Sequence, residues 1–196
     1  MYPRHDDRGE LVTDAQLVGS REHLSREHRV VFLTGVLTGE TESHNALIAL
    51  DSLGDAPIKL IITSQGGDMD AAFLFYDTMR LLQSPVETLG RYAASAAALL
   101  LTAGNKRYLL PHSKVMLHLP SGQMSGDARD WEIQHTEMVG YKNRMVDLLI
   151  ECGVARSREE ILRDIDREKW MGPKEAIDYG LADEIMDKEA MKRWLS

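Results

Sequence analysis

Short β-branched apolar runs alternate with stretches of helical period, and that alternation constrains the fold more than any other feature of the chain. Residues 29–34 (RVVFLT) read as a first buried strand, because β-branched and aromatic side chains suit a pleated surface. Residues 58–63 (IKLIIT) read as a second, with an apolar continuity that predicts burial on both faces. Residues 86–89 give a third strand, and 106–110 and 115–118 give two more, separated by a turn at Pro111. Helices fall between them. Over 41–53, Leu47, Leu50 and Leu53 share a face and Gly54 suits the end; over 69–82, Phe73, Tyr76, Met79 and Leu82 do the same. A small-residue helix is expected over 95–103. Strand and helix in this order predict an α/β fold with a largely parallel sheet.

A long helix is expected over about 129–152, where Trp131, Met138, Met145 and Cys152 recur every seventh residue. The ordinary reading of that stripe is a packing face. At 1.5 Å per residue the helix would run ~36 Å, more than a compact core needs, so part of it is expected to pack on another subunit. Ser157 and Glu160 carry a capping-box signature, and Pro173 and Gly180 bracket a short helix between them. The expected organisation is a flexible N-terminal arm over 1–28, with a short helix near 14–24, one α/β domain over 29–187, and a C-terminal tail over 188–196.

Charge and composition exclude several function classes. A formal charge of −8 disfavours non-specific nucleic-acid binding, which leans on clustered Lys and Arg. The longest unbroken apolar stretch, 96–101, falls far short of the ~20 residues of a membrane span. The N-terminal residues lack the apolar core of a signal peptide. A single cysteine, Cys152, leaves no intrachain disulfide framework and fits a reducing compartment, so the expected location is cytoplasmic. No His, Cys and Glu set has zinc-site spacing, and neither a P-loop nor a dinucleotide fingerprint is present; no metal or cofactor is expected.

Three segments could carry chemistry. Ser95 lies at a strand-to-helix junction among small residues, where a nucleophile can face a cleft beside a helix N-terminus. Its ordinary reading is an N-cap. Gly66-Gly67 follow a buried strand, and two glycines free the backbone to aim N–H groups at an oxyanion; a plain tight turn is the alternative. His118 ends an apolar strand, where it could serve as a general base or as a structural histidine. Asp164, Asp166 and Glu168 form an acidic cluster, any member of which could orient an imidazole, and spacing does not choose among them. A solvated loop is the alternative.

Over roughly 29–186 the chain resembles the proteolytic subunit of the Clp protease, the ClpP family. Arg91-Tyr92-Ala93-Ala94-Ser95-Ala96-Ala97-Ala98 is similar to the family's Gly-Gln-Ala-Ala-Ser-Met-Gly-Ala, and Tyr76-Asp77-Thr78-Met79 to a family helix. The segment 110–118 (LPHSKVMLH) looks like the strand that ends in the family's catalytic histidine, and 175–184 (EAIDYGLADE) is similar to its tail. The resemblance implies a crotonase-like ββα spiral, with the long helix as a handle between rings. It implies a serine endopeptidase that hydrolyses unfolded polypeptides in the chamber of two stacked heptamers, a tetradecamer. An AAA+ unfoldase of the ClpX, ClpA or ClpC type would consume the ATP. By the same resemblance Ser95 is the nucleophile, His118 the general base, Glu168 the residue at the triad-acid position, and the Gly67 and Ala96 N–H groups the oxyanion hole.

The sequence also departs from the family. Ser64-Gln65-Gly66-Gly67 stands for Ser-Pro-Gly-Gly, and Asp68 follows, a carboxylate beside the expected anion hole. Leu119-Pro120 replaces Gln-Pro, and the next loop lacks a double glycine. Glu168 replaces an aspartate, with Asp166 and Asp164 as fallback partners. These departures motivate an alternative, a weakly active or inactive ring subunit. A third reading, an acyl-CoA enzyme of the same superfamily, would use the paired glycines for a thioester enolate.

Overall fold

A computed structural model describes the backbone of residues 14–39 and 42–195, with side chains from residue 21 onward. The first thirteen residues of the expected arm lie outside the described residues. The rest of the arm is α1 (Asp14–His28), a longer helix than expected, leading directly into β1 (Val30–Leu37).

From there the chain alternates α2 (Glu42–Asp51), β2 (Ile58–Gly67), α3 (Met69–Leu81), β3 (Val86–Ala94), α4 (Ala96–Thr102) and β4 (Lys106–Leu117). Strands β1 to β4 lie side by side in sequence order and pair in parallel. The mixed α/β architecture is therefore as the alternation predicts. Leu60, Ile62, Leu33 and Val115 are fully buried among these strands, and every residue of α4 is buried against them.

Strands β2 and β3 run further than their apolar runs. Ser64 continues β2 opposite Gly35, its hydroxyl donating to the Gly35 carbonyl at 2.6 Å. Polar and small residues thus extend the strands toward one end of the sheet, where apolar periodicity gives no signal. Likewise β4 passes through Pro111 instead of breaking there. The cost appears as a register jump: Gly90 pairs with Leu109, but Tyr92 pairs with Lys114. The buried Ser113 hydroxyl donates to the Gly90 carbonyl within that bulge, at 2.6 Å.

After β4 come α5 (Ala128–Glu151), α6 (Arg158–Asp164), β5 (Lys169–Met171), α7 (Pro173–Tyr179), β6 (Glu184–Ile185) and α8 (Lys188–Leu195). The seven-residue stripe of α5 is a packing face only in its second half. Met145, Val146 and Leu149 are buried, whereas Trp131 is 53 % and Ile133 57 % exposed. Capping boxes at Asp127/Asp130 and Ser157/Glu160 start α5 and α6. The Ser157 N–H bond holds the Glu160 carboxyl below its ordinary value. Arg107 of β4 donates to the carbonyls of Cys152 and Gly180, closing the ends of α5 and α7, while Asp183 takes the rest of its guanidinium.

The expected C-terminal tail is corrected. Residues 188–195 form α8, and Trp194, 4 % exposed, packs with Ala190 on Leu89 and Met186. Lysines and an arginine along α8 masked this in the sequence, because only two residues of one face are buried. Among the described residues, no helix is long and apolar enough to cross a membrane.

Candidate active site

Ser95 is the single residue between β3 and α4. It has φ 58° and ψ −128°, a conformation that costs a non-glycine residue about 1–3 kcal/mol and persists only where the surroundings impose it. The surroundings do so here. The Ser95 N–H donates to the Met116 carbonyl at 2.8 Å, and its own carbonyl accepts from Ala98. As the N-cap residue of α4 it makes no side-chain cap bond. The hydroxyl instead meets His118 Nε2 at 2.7 Å. The Ser95 hydroxyl therefore faces an imidazole and not the N–H groups of α4. Residues 23 apart in sequence meet because β3 and β4 pair in parallel and both end at this edge.

The cleft around the pair is ≈ 370 Å³ and is lined by Val36, Gln65, Gly66, Gly67, Met69 and Met116. Gly66 has φ +88°, and a Cβ there would stand 2.6 Å from the Ala94 carbonyl and 2.8 Å from Ser95 Cβ. Its N–H donates to Ser64 Oγ at 3.1 Å, and it is the Gly67 amide that the family resemblance assigns to the oxyanion. Gly67, at φ +153°, packs with no room for a Cβ against the Leu37 carbonyl. Ala96 is the first residue of α4, where backbone N–H groups lack intrahelical acceptors. The Asp68 side chain is turned to the start of α3. Its carboxylate accepts from the Ala71 N–H at 2.8 Å as the N-cap of α3.

The acid side is arranged differently. Strand β5 pairs antiparallel with the end of β4, Leu117 opposite Lys169. The ladder ends there, and Leu119 next donates to the Ile165 carbonyl at 2.9 Å, so residues 166–168 face His118 alone. The Glu168 carboxylate, however, accepts from Trp170 Nε1 at 2.8 Å. Among the described residues, no carboxylate is hydrogen-bonded to His118. Asp164 pairs with Lys169 at 3.7 Å, and Asp166 with Arg167 at 3.6 Å. The structure thus joins Ser95 to His118, while Glu168, in the segment that leads into β5, is bonded to Trp170. Trp170 is the residue that the sequence reading missed. Its signal is positional: two residues beyond Glu168 on a strand, it shares a face with it.

Elsewhere, burial pushes the Cys152 thiol up, and its Sγ lies 3.8 Å from Tyr76 Oη, which favours an inert thiol over a thiolate nucleophile. His44 is engaged with Thr78 Oγ1.

Comparisons with known proteins give the family of the chain. The Clp protease family model matches residues 14–189. A chloroplastic ATP-dependent Clp protease proteolytic subunit 4 from Arabidopsis thaliana is 40 % identical over 137 residues, covering 68 % of this chain and 47 % of that protein. Proteolytic subunit 2 from Chlamydia trachomatis serovar D is 43 % identical over 133 residues, 66 % of this chain and 64 % of its own length. Subunit 1 from Chlamydia felis is 42 % identical over 133 residues, with the same coverage. The chain therefore matches less than two thirds of the length of these curated relatives. With most of its residues inside the family model, the chain belongs to the Clp protease family.

Proposed function

We propose that the chain is an ATP-dependent Clp protease proteolytic subunit, a serine endopeptidase acting on unfolded polypeptides. The observation that carries this reading is the Ser95 Oγ to His118 Nε2 contact of 2.7 Å in a cleft bordered by Gly67. His118 Nε2 takes the hydroxyl proton as Oγ attacks the scissile carbonyl. The Gly67 and Ala96 N–H groups receive the oxyanion, a task suited to fixed backbone dipoles. His118 then gives the proton to the leaving amine, and water hydrolyses the acyl-enzyme by the reverse path. Glu168 is the residue that orients the imidazole and balances its positive charge, once its carboxylate turns to Nδ1.

In this reading the fold is the crotonase-like ββα spiral and α5 is the handle of a two-ring, tetradecameric assembly. The exposed Trp131 and Ile133 on the first half of α5 support burial by another copy. ATP is consumed by a separate AAA+ unfoldase, and the setting is cytoplasmic. The test is reaction with a serine-directed fluorophosphonate and hydrolysis of a fluorogenic peptide, beside Ser95→Ala. Labelling and turnover that vanish in the variant are expected. Equal signals from both proteins would remove Ser95 as the nucleophile.

A further inference from the structure

Glu168 is the residue just before the β5 ladder, whose last pair is Leu117 with Lys169, and its carboxylate is held by a neighbour two residues along the same edge strand. Trp170 Nε1 donates to Glu168 Oε2 at 2.8 Å, and the indole is 44 % exposed. Its ring rests near Tyr92 of β3, centroids 6.0 Å apart, and its backbone pairs with Met116, a residue of the active cleft. The indole is thus fixed by the sheet, while Glu168 stands at the last position before β5 begins. Leu119 donates to the Ile165 carbonyl at 2.9 Å, so residues 166–168 bow outward between that bond and the β5 ladder. A side chain on such a bow has two acceptable directions: along the strand to Trp170, or across it to His118.

We propose that Trp170 is a positioning residue that competes with His118 for the Glu168 carboxylate, holding the acid off the imidazole in the resting site. The proposal rests on the serine-peptidase reading. Its physical basis is the change of charge during catalysis. A neutral imidazole offers the carboxylate an ordinary hydrogen bond, comparable to that of an indole N–H. An imidazolium, formed as Ser95 attacks, offers a charge-assisted bond and wins. The carboxylate therefore crosses over only as the proton moves. The charged groups next to it in the chain, and the carboxylate that follows Gly67, are engaged. Lys169 pairs with Asp164 of α6, Arg167 with Asp166, and Asp68, across the cleft, caps α3. The partner of the Glu168 carboxylate is the indole.

The test is the rate of Ser95 labelling by a fluorophosphonate as a function of pH. It is read for the intact chain, Trp170→Phe, Glu168→Gln and the double variant. Phenylalanine keeps a ring beside Tyr92 and removes only the donor. The freed carboxylate then favours the imidazolium, so the midpoint of the rate curve should rise by about half a pH unit or more, with a severalfold higher plateau. The double variant should fall back onto Glu168→Gln, and Trp170→Leu should shift the midpoint in the same direction as Trp170→Phe. A merely structural indole predicts a lower plateau with an unmoved midpoint, and that result overturns the proposal. So does a shift that survives in the double variant. If the intact chain labels no faster than His118→Ala, the peptidase reading itself fails, an outcome distinct from an unmoved midpoint.

Discussion

His118 stands between two flanks built on different terms. On one side, Ser95 and the paired glycines are set by strands β1 to β4 and by α4, whose seven residues are all buried. There a strained φ of 58° persists because it is over-determined by packing and by bonds to Met116 and Ala98. On the other side, Glu168 adjoins a three-residue edge strand with half-exposed Trp170 and a register that ends before the acid. The difference teaches where pre-organisation comes from. Burial on both faces of a sheet fixes the groups that attack and stabilise. An edge leaves the orienting group free to choose its partner.

The largest test bears on the rigid flank. Ser95→Ala should lower peptide hydrolysis about 10³-fold or more, and His118→Ala combined with it should add little, because the two act as one unit. Ser95→Gly should be equally inactive yet more stable, by about 1 kcal/mol in thermal or denaturant unfolding, since glycine accepts positive φ. A Ser95→Gly protein no more stable than the parent would mean that the strain is not stored there. Gly66→Ala comes next. Its Cβ would meet the Ala94 carbonyl and Ser95 Cβ at 2.6 and 2.8 Å in a left-handed backbone. A loss of about 2–4 kcal/mol is expected, with at least a tenfold fall in Ser95 labelling of whatever remains folded. Gly35→Ala is the control: the same sign of φ, +80°, but nothing within 4 Å of the added methyl. It should cost only the backbone term, about 1–2 kcal/mol, and leave labelling rate unchanged.

The same contrast explains what could be read from the sequence. RVVFLT, IKLIIT and the face of Phe73, Tyr76 and Met79 announce the parallel sheet and its covering helices, since burial dictates their residue types. The meeting of Ser95 and His118 follows once β3 and β4 are neighbours, and the family resemblance names both residues. Strand ends made of Ser64, Gln65 and glycines are silent, because their pairing is a backbone matter. So is the passage of β4 through Pro111, where a bulge absorbs the missing donor. The role of Asp68 was legible in principle: an aspartate just before a helical run is an N-cap. The direction of Glu168 was not. The family resemblance names it as the partner of His118 but cannot say which of two donors its carboxylate accepts.

On the edge flank the effects should be smaller and graded. Glu168→Gln should lower turnover by about 10- to 100-fold, less than the ~10⁴-fold typical of a buried triad aspartate, because the bond to the imidazolium is gained only by giving up the indole bond. A loss as large as that of Ser95→Ala would mean that the acid is held on His118 throughout, against the indole contact. Asp164→Asn and Asp166→Asn, the two fallback partners, should each change turnover less than about twofold. Their partners are half-exposed Lys169 and exposed Arg167, and surface pairs of this kind contribute about 0–1 kcal/mol. Asp166 is the weaker case, its carboxylate and the Arg167 guanidinium both being largely in solvent. If Asp164→Asn nonetheless lowered turnover as far as Glu168→Gln, the bow over 166–168 would have to rearrange enough to turn α6 toward His118. The edge would then be far looser than the Leu119 to Ile165 bond allows.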